Sequence, residues 1–302
     1  MQIGVMLGGA RRVLALDELV KRTRDLEARG FDTVWLPGVF SLDPVIAAAV
    51  IGGETERIEI GTAVVPTQPR HPAALAQQAL TAAIACQGRF TLGIGLSHPA
   101  VIEGMLGLSY ARRASHMLEY MAVLAPLLRA ERVAHRGDEY RVALALALPE
   151  APPVPILIAA LGDRMLDIAG SRAGGTILWC TGPRTIEKHI APKLRAAARE
   201  AGRPPPRIVA GMHIALTSER EAARERVAKA MAFYGQMPSY RAMLEMEGAD
   251  GLEGMALVGD ERALDAGLDR LCDLGVSDFE ASVLPMDDEV EERTLRYLES
   301  RL

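Results

Sequence analysis

The chain has 302 residues, of which 49% are hydrophobic and 24% are charged, and its net charge is −5. This length and composition suffice to bury the core of one large α/β domain or of two smaller ones. Acidic and basic residues are interspersed without a basic tract, and aromatic residues make up only 4% of the chain. Both features argue against a nucleic-acid-binding surface, so we expect no nucleic-acid partner.

The sequence also argues against membrane insertion and secretion. No apolar run approaches the roughly 20 residues that a membrane span needs, and the N-terminal MQIGVMLGG lacks the features of a signal peptide. Cys86, Cys180 and Cys272 are far apart and lie in apolar surroundings. This usage is typical of reduced thiols rather than of a disulfide framework. We therefore expect a cytoplasmic protein with no membrane association.

Short apolar runs alternate with amphipathic helical stretches along the chain. Strands are predicted at 3–7, 31–37, 57–65, 89–95, 154–160, 174–179, 207–216 and 276–283. Helices are predicted at 14–30, 44–55, 71–88, 163–173, 184–201, 218–233 and 260–274. Gly30 is a typical helix C-cap, and Pro72 takes the favoured first position of its helix.

About eight strand–helix units follow one another, and their strands are almost continuously apolar, as in a parallel sheet buried on both faces. This order predicts an α/β fold, a (β/α)₈ TIM barrel, with a doubly wound open sheet as the alternative. Without a linker or a repeat, 1–302 is predicted to form a single domain. Two insertions interrupt it: a hairpin at 132–153, with a turn at Gly137–Asp138, and a Met- and Gly-rich segment at 234–256.

The active site of a barrel lies at the carboxyl ends of its strands. The residues that follow the first six strands are apolar, glycine-rich and moderately basic: Gly8, Gly9, Arg11 and Arg12, then 37–40, 66–71, 96–98, 160–162 and 179–182. They contain no carboxylate pair, metal-ligand set, Gly-x-Ser-x-Gly elbow or Walker loop, so we predict no metal site. Such a rim suits a planar ring system with a phosphate at one end, such as a flavin.

The fourth strand ends in the run LGIG, which places Gly93 and Gly95 one residue apart. No third glycine opens a helix after them, so the run is not a dinucleotide-binding fingerprint. The two glycines instead predict a tightly packed barrel strand whose backbone a ring can approach.

Residues 55–99 resemble the core signature of the bacterial-luciferase-like superfamily of flavin- and deazaflavin-dependent oxidoreductases. GTAVV, RHPA, LAxQA, GRF and LGIG occur there in the family's order, and further matches lie at 26–37, 112–128 and 154–179. The resemblance covers roughly 1–220. The combination of LGIGLSHP and HMLEYMAVL resembles the branch that uses coenzyme F420, a deazaflavin, more than the FMN monooxygenase branch.

The resemblance implies a cofactor, F420 with FMN as the alternative, and residues that hold it. A non-proline cis peptide at Ala63–Val64 is expected to bulge against the deazaflavin face. The backbone of Leu96 and Ser97, the segment 160–162 with its helix, and 174–176 are expected on the phosphate side. The implied cofactor site therefore comprises Ala63, Val64, Leu96, Ser97, His98, Ala160, Leu161, Gly162, Gly175 and Thr176. A homodimer is expected from the family, formed by helices near 71–87 and 112–128.

One departure from the family bears on the reaction. Sugar-oxidising relatives in the deazaflavin branch carry Asp-His after the second strand and Glu after the fourth, whereas this chain has Gly38-Val39 and His98. We therefore favour reduction of a C=C or C=N bond over oxidation of an alcohol. His98, with an ordinary pKa of about 6.5, is the candidate for proton transfer, and a cap or a cofactor hydrogen bond is its alternative role.

The predicted function is thus hydride transfer between the deazaflavin C5 and a small organic substrate. An FMN-dependent monooxygenase is one alternative, and a non-catalytic flavin-binding relative with a plugged pocket is another. Five arginines could hold the phosphate or the acidic tail of the deazaflavin or could be surface charges: Arg11, Arg12, Arg70, Arg112 and Arg113. His71, at a helix start, is predicted to act as a cap.

Overall fold

The computed structural model describes residues 1–9, 13–38, 40–148 and 150–302. Arg11, Arg12 and Val39, which the sequence places near the barrel mouth, lie outside the described residues.

The described residues form strands and helices in the predicted alternation. The strands are β1 (Gln2–Met6), β2 (Thr33–Leu36), β3 (Glu59–Thr62), β4 (Val65–Pro66), β5 (Phe90–Gly95), β6 (Val133–Arg136), β7 (Arg141–Leu144), β8 (Ile156–Ala159), β9 (Gly175–Trp179), β10 (Arg207–Leu216), β11 (Leu257–Gly259) and β12 (Asp278–Val283). The helices are α1 (Leu16–Arg29), α2 (Pro44–Gly52), α3 (Pro72–Ala85), α4 (Pro99–Ile102), α5 (Arg113–Leu127), α6 (Asp163–Arg172), α7 (Pro183–Thr185), α8 (Ala191–Glu200), α9 (Arg220–Gly235), α10 (Pro238–Glu247), α11 (Glu261–Asp273) and α12 (Asp288–Glu299). A π-helical turn, Ile186–Ile190, joins α7 to α8, and a 3₁₀ turn, Leu252–Met255, follows α10.

Eight parallel strands close into a barrel in the order β1-β2-β3-β5-β8-β9-β10-β12, and β12 pairs back to β1. The predicted (β/α)₈ barrel is therefore confirmed, and the doubly wound alternative is wrong. β2 and β5 are buried along their whole length, as expected for strands covered by helices outside and side chains inside. β4 resumes the path of β3 and pairs with β5, while β11 extends β10 at its carboxyl end.

Two predicted helix ends are confirmed. Gly30 caps α1 with a φ of 93°, and its N–H donates to carbonyl oxygens of the last turn. His71 is the N-cap of α3, and its ring Nδ1 accepts a hydrogen bond from the N–H of Ala73 at 3.2 Å. The capping role predicted for His71 therefore holds, and Pro72 follows it at the first helical position.

The amino-terminal end of the barrel carries a partly buried ion network. Arg207, at the start of β10, lies 2.5 Å from Asp278 and 2.9 Å from Glu59, which begin β12 and β3. The Arg207 guanidinium also lies 5.9 Å from the ring centroid of Trp35, which fills the barrel above it. A Cβ at Gly61 would collide with that ring, so the glycine makes room for the indole.

The glycines of the LGIG run serve packing, as predicted. A Cβ at Gly93 would collide with the carbonyl oxygen of Thr62, and one at Gly95 would lie 2.7 Å from Cγ2 of Val64. β5 can therefore approach the end of β3 only because these two positions lack side chains.

The hairpin predicted at 132–153 is present as the antiparallel pair β6–β7. Arg136 pairs with Arg141, so the turn spans 137–140 and is two residues longer than predicted. The Glu119 carboxylate on α5 fills this turn and accepts hydrogen bonds from the backbone N–H groups of residues 138, 139 and 140. This longer turn forms because a side chain from outside the hairpin satisfies its backbone.

We expect the hairpin's attachment to α5 to depend on pH through Glu119. Burial alone would raise the pKa of Glu119, but hydrogen bonds from Tyr140, Glu139, His135 and Asp138 outweigh it and hold the pKa at about 2. Because the folded pKa lies below the ordinary 4.5, the stabilisation is present above about pH 4.5 and is lost as the pH falls towards 2. Hydrogen-exchange protection of the turn amides should follow this course, and Glu119→Gln should reduce it at neutral pH. Equal protection in the variant would contradict the assignment.

Candidate functional site

A cavity of about 1930 Å³ opens at the carboxyl ends of the barrel strands. Its walls come from the loops after β1, β2, β5 and β8, from the barrel interior and from the segment around α9 and α10. The part of the 234–256 insertion that contributes includes Tyr234 and Tyr240. An open cavity of this size differs from the plugged pocket expected of a non-catalytic relative.

Most of the residues predicted for the cofactor site line this cavity. They are Ala63, Val64, Leu96, Ser97, His98, Ala160, Leu161 and Gly162. The fold brings them together because each follows the end of a parallel strand.

Gly175 and Thr176 lie elsewhere, at the amino end of β9. The hydroxyl of Thr176 donates to the carbonyl of Ile158 at 2.8 Å, and both residues are buried. Gly175 has a φ of 152°, and a Cβ there would collide with the backbone of Arg207. The pair was predicted on the phosphate side, but it begins a strand instead of following one, so the structure places it away from the cavity.

The wall formed by the end of β3 has the geometry that the resemblance implied. The Ala63–Val64 peptide bond is cis, and the chain resumes in β4 one residue later. Val64 and Ala63 pack against the apolar barrel interior beside Ala159. A Cβ at Gly38 would collide with the carbonyl oxygen of Val64, so the loop after β2 needs its glycine to pack here.

His98 follows β5 and stands at the cavity wall without capping the helix behind it. It is the N-cap residue of α4, but its side chain makes no capping hydrogen bond, which argues against the cap as its role. Its ring meets Tyr234 edge-on at 5.4 Å and lies 6.3 Å from the ring of Tyr240. Burial lowers the pKa of His98 below its ordinary value. The imidazole is therefore neutral at pH 7 and can donate or accept a hydrogen bond.

The preceding residue is held in an unusual backbone conformation. Ser97 has a φ of 58°, in the left-handed region, and its carbonyl accepts a hydrogen bond from the hydroxyl of Tyr110 at 2.8 Å. This bond fixes the direction in which the chain leaves β5. It therefore positions His98 and the first turn of α4.

The loop after β8 ends in the uncapped N-terminus of α6. Gly162 is the N-cap, and no described side chain caps the helix. Apart from the glycine's own neighbours in the chain, no atom of the described residues lies within 4 Å of the place where its Cβ would be. His189 fixes this loop by donating from Nε2 to the carbonyl of Leu161 at 2.7 Å. The first N–H groups of the ten-residue helix thus border the cavity, where they can bind an anion.

Charges around this helix start favour an anion. Arg164 lies in the first turn of α6, lines the cavity, and forms no ion pair within the described ranges. The Asp163 carboxylate is engaged by Lys193. Sequence analysis missed Arg164, although its position two residues after Gly162 was a usable signal.

The three described arginines that were predicted near the cofactor differ in their partners. Arg70 pairs with Asp43, and Arg112 pairs with Asp138 at 2.6 Å. Arg113 lies over the ring of Tyr110, 5.6 Å from its centroid, and lines the cavity. Arg70 and Arg112 therefore already have carboxylate partners.

A buried carboxyl at the cavity floor was also missed. Glu280 lies on β12, is 1% exposed and lines the cavity. Its Oε1 has no hydrogen-bond partner among the described residues. His213, on the neighbouring β10, lines the same region with its ring edge-on to Trp179 at 5.1 Å. The available signal was that VSDFEASV, an otherwise apolar strand, carries a second acidic residue, Glu280, two positions after Asp278.

Among the described residues, no group of three or more His, Cys, Asp or Glu side chains is arranged to hold a metal ion. None of the described helices combines the length and the apolar character needed to cross a membrane.

The barrel and its mouth cavity define a class of protein, and comparison with known families identifies it. The family described as luciferase-like monooxygenase matches residues 1–277. The chain belongs to this family, which confirms the resemblance seen in the sequence.

Among its relatives is the 5,10-methylenetetrahydromethanopterin reductase of Methanolobus tindarius, 26% identical over 80% of this chain and 76% of the relative. The F420-dependent hydroxymycolic acid dehydrogenase of Mycobacterium tuberculosis is 30% identical over 67% of this chain and 59% of the relative. The structure of the coenzyme F420-dependent tetrahydromethanopterin reductase of Methanopyrus kandleri superposes with a TM-score of 0.83 at 18% identity, covering 100% of this chain and 98% of that one. The last comparison supports the fold alone.

Proposed function

We propose that this protein is an F420-dependent oxidoreductase that transfers a hydride between the deazaflavin C5 and a small organic substrate. The observation that carries the proposal is a single cavity that joins an apolar barrel mouth to the uncapped N-terminus of α6. A relative supports the choice of cofactor, since the dehydrogenase of Mycobacterium tuberculosis is named as F420-dependent.

The residues present fit a phosphorylated deazaflavin. Val64, Ala159 and Ile177 offer an apolar wall for a planar ring. The backbone N–H groups after Gly162 and the guanidinium of Arg164 offer donors for a phosphate. The volume of about 1930 Å³ exceeds the roughly 300–1,000 Å³ of an ordinary ligand pocket, so cofactor and substrate can share it.

When bound, the deazaflavin supplies a hydride donor or acceptor at its ring carbon. The protein's part is to bind, orient and exclude water. The apolar wall would shield the ring, the α6 terminus would anchor the phosphate, and neutral His98 would offer a hydrogen-bond donor or acceptor at the cavity wall.

We favour reduction of a C=C or C=N bond. The loop after β2 brings Gly38 against Val64, where the resemblance implies an Asp-His pair in sugar-oxidising relatives. The acidic residue in the described part of this loop, Asp43, caps α2 and pairs with Arg70. The cavity mouth also keeps large apolar side chains exposed, with Phe40 71% and Phe233 46% accessible. An exposed apolar rim of this kind fits a substrate with apolar surface.

Anaerobic turnover with candidate substrates tests the proposal. The protein, supplied with reduced deazaflavin, should oxidise it in the presence of cyclohex-2-enone or a cyclic imine, and should not reduce oxidised deazaflavin with propan-2-ol. Turnover only with propan-2-ol would overturn the bond class. Oxygen-dependent product formation with reduced FMN, and none with the deazaflavin, would favour the monooxygenase alternative.

We also propose that the protein forms a homodimer through neighbouring helices on one side of the barrel. The expected helices near 71–87 and 112–128 are α3 and α5, which pack side by side; α3 leaves Ile84 46% exposed and α5 leaves Leu118 43% exposed. The double variant Ile84→Glu, Leu118→Glu should shift the protein from dimer to monomer in light-scattering chromatography. Leu302→Glu, at an exposed position away from these helices, is the control and should leave the dimer intact. A wild-type monomer would contradict this proposal.

A further inference from the structure

Glu280 lies between two glycines on the neighbouring strands of the barrel. Its partners in register on the neighbouring strands are Gly4 on β1 and Gly211 on β10. A Cβ at Gly211 would lie 2.5 Å from Oε2 of Glu280, and one at Gly4 would lie 2.8 Å from Nε1 of Trp35. A side chain at Gly211 would displace the carboxyl of Glu280, and one at Gly4 would displace the indole of Trp35. The carboxyl is therefore accommodated by two small neighbours.

Within the described ranges, which leave out Arg11 and Arg12, no cation pairs with this carboxyl. Arg207, at the amino-terminal end of the barrel, is engaged by Asp278 and Glu59. The described titratable groups beside Glu280 are His213 on β10 and Cys180 after β9, and its register partner on β1 is Gly4. An ionised carboxylate buried without a cation or a full set of hydrogen bonds is strongly disfavoured. Burial accordingly raises the pKa of Glu280 well above its ordinary range.

Resting on the proposed function, we infer that Glu280 is a catalytic residue: a neutral carboxylic acid at the cavity floor that donates its proton to the substrate. When a hydride from the reduced deazaflavin adds to one atom of a C=C or C=N bond, the π electrons move to the other atom. That atom takes the proton as the O–H bond of Glu280 breaks, and the carboxylate then regains a proton from solvent. His98, neutral at pH 7, is left to orient the substrate or cofactor by hydrogen bonding.

The buried acid has precedents in physical chemistry. A carboxyl kept neutral by an apolar site can donate a hydrogen bond or a proton at neutral pH. General acid catalysis of this kind contributes about 10²–10⁴-fold to a rate. Glutamine matches glutamate in shape and keeps a hydrogen-bond donor, but it has no proton to transfer. Glu280→Gln therefore separates proton donation from packing.

The first test needs no turnover. An infrared difference spectrum between wild type and Glu280→Gln at pH 7 should show the C=O band of one protonated carboxyl in the wild type. Glu119→Gln is the matched control, because the pKa of Glu119 is about 2 and its carboxyl is already ionised at pH 7. The control should leave the protonated-carboxyl region unchanged. Absence of a band assignable to Glu280 would overturn the inference.

The second test separates binding of the cofactor from the proton-transfer step. Glu280→Gln should bind oxidised deazaflavin as wild type does and should lower kcat for cyclohex-2-enone or a cyclic imine by at least about 100-fold, with KM little changed. A wild-type kcat in the variant would overturn the inference and leave the proposed function standing. Failure of the wild type to bind the deazaflavin, or to reduce either compound, would overturn the proposed function and this inference together.

Discussion

Replacement of Arg207 by leucine is expected to lower the free energy of unfolding by about 3–5 kcal/mol, because it leaves two carboxylates without their cation at the barrel floor. The Asp278 side chain is only 2% exposed and lies 2.5 Å from the guanidinium. Glu59, 22% exposed, pairs with the other side of the same group at 2.9 Å. β10 and β12 are neighbours in the sheet, but β3 pairs with neither of them. Arg207 therefore links separate parts of the closed sheet. Urea denaturation followed by circular dichroism measures the change.

Arg129→Leu is the matched control for Arg207→Leu. Arg129 also binds a carboxylate through two nitrogens, that of Glu131, but the two side chains are 58% and 52% exposed. Exposed pairs of this kind contribute about 0–1 kcal/mol. If the two variants lose similar stability, the network of Arg207, Asp278 and Glu59 does not stabilise the barrel as described.

Placing a negative charge at Gly162 is expected to weaken deazaflavin binding by at least about 100-fold, or about 2.7 kcal/mol. The aspartate of Gly162→Asp would occupy the N-cap of α6 and accept hydrogen bonds from the N–H groups that would otherwise bind the phosphate. Its negative charge would also repel the phosphate. The fold should tolerate the change, because Gly162 has an ordinary φ of −89° and open space around it. Fluorescence titration of the cofactor gives the dissociation constant.

Gly162→Asn separates charge from capping. Asparagine has nearly the same shape as aspartate and also caps a helix, but it carries no charge. We expect it to weaken binding much less than aspartate does, and we expect both variants to unfold at or above the wild-type temperature. Equal affinities in the two variants would mean that no phosphate lies at this helix terminus.

The barrel was predictable because its cause is local and repeated. Apolar runs such as FTLGIG and VPILIAA have the length and composition of strands buried on both faces, and amphipathic stretches ending at residues such as Gly30 separate them. The residues at the cavity wall were predictable for a related reason. Once a parallel barrel is assumed, whatever follows a strand lies at its mouth, and this placed Leu96, Ser97 and His98 correctly there.

The features that the sequence did not predict are set by strand register or by side chains distant in the chain. Whether an acidic residue within an apolar strand points into the barrel is set by its pairing with neighbours, so the inward position of Glu280 between Gly4 and Gly211 could not be derived from VSDFEASV alone. Gly175 and Thr176 were expected at the cofactor only because the resemblance implied it, although the strand predicted at 174–179 already put them at its amino end. The longer hairpin turn depends on Glu119, which is 19 residues from Asp138 in the chain.

Titration of the purified protein with oxidised F420 and, separately, with FMN shows whether the mouth cavity binds a deazaflavin. We expect saturable binding of F420, followed by its fluorescence, much weaker binding of FMN, and F420 binding that is at least about 100-fold weaker in Gly162→Asp. Tight binding of FMN alone, or binding of neither compound, would mean that the cavity is not a deazaflavin site.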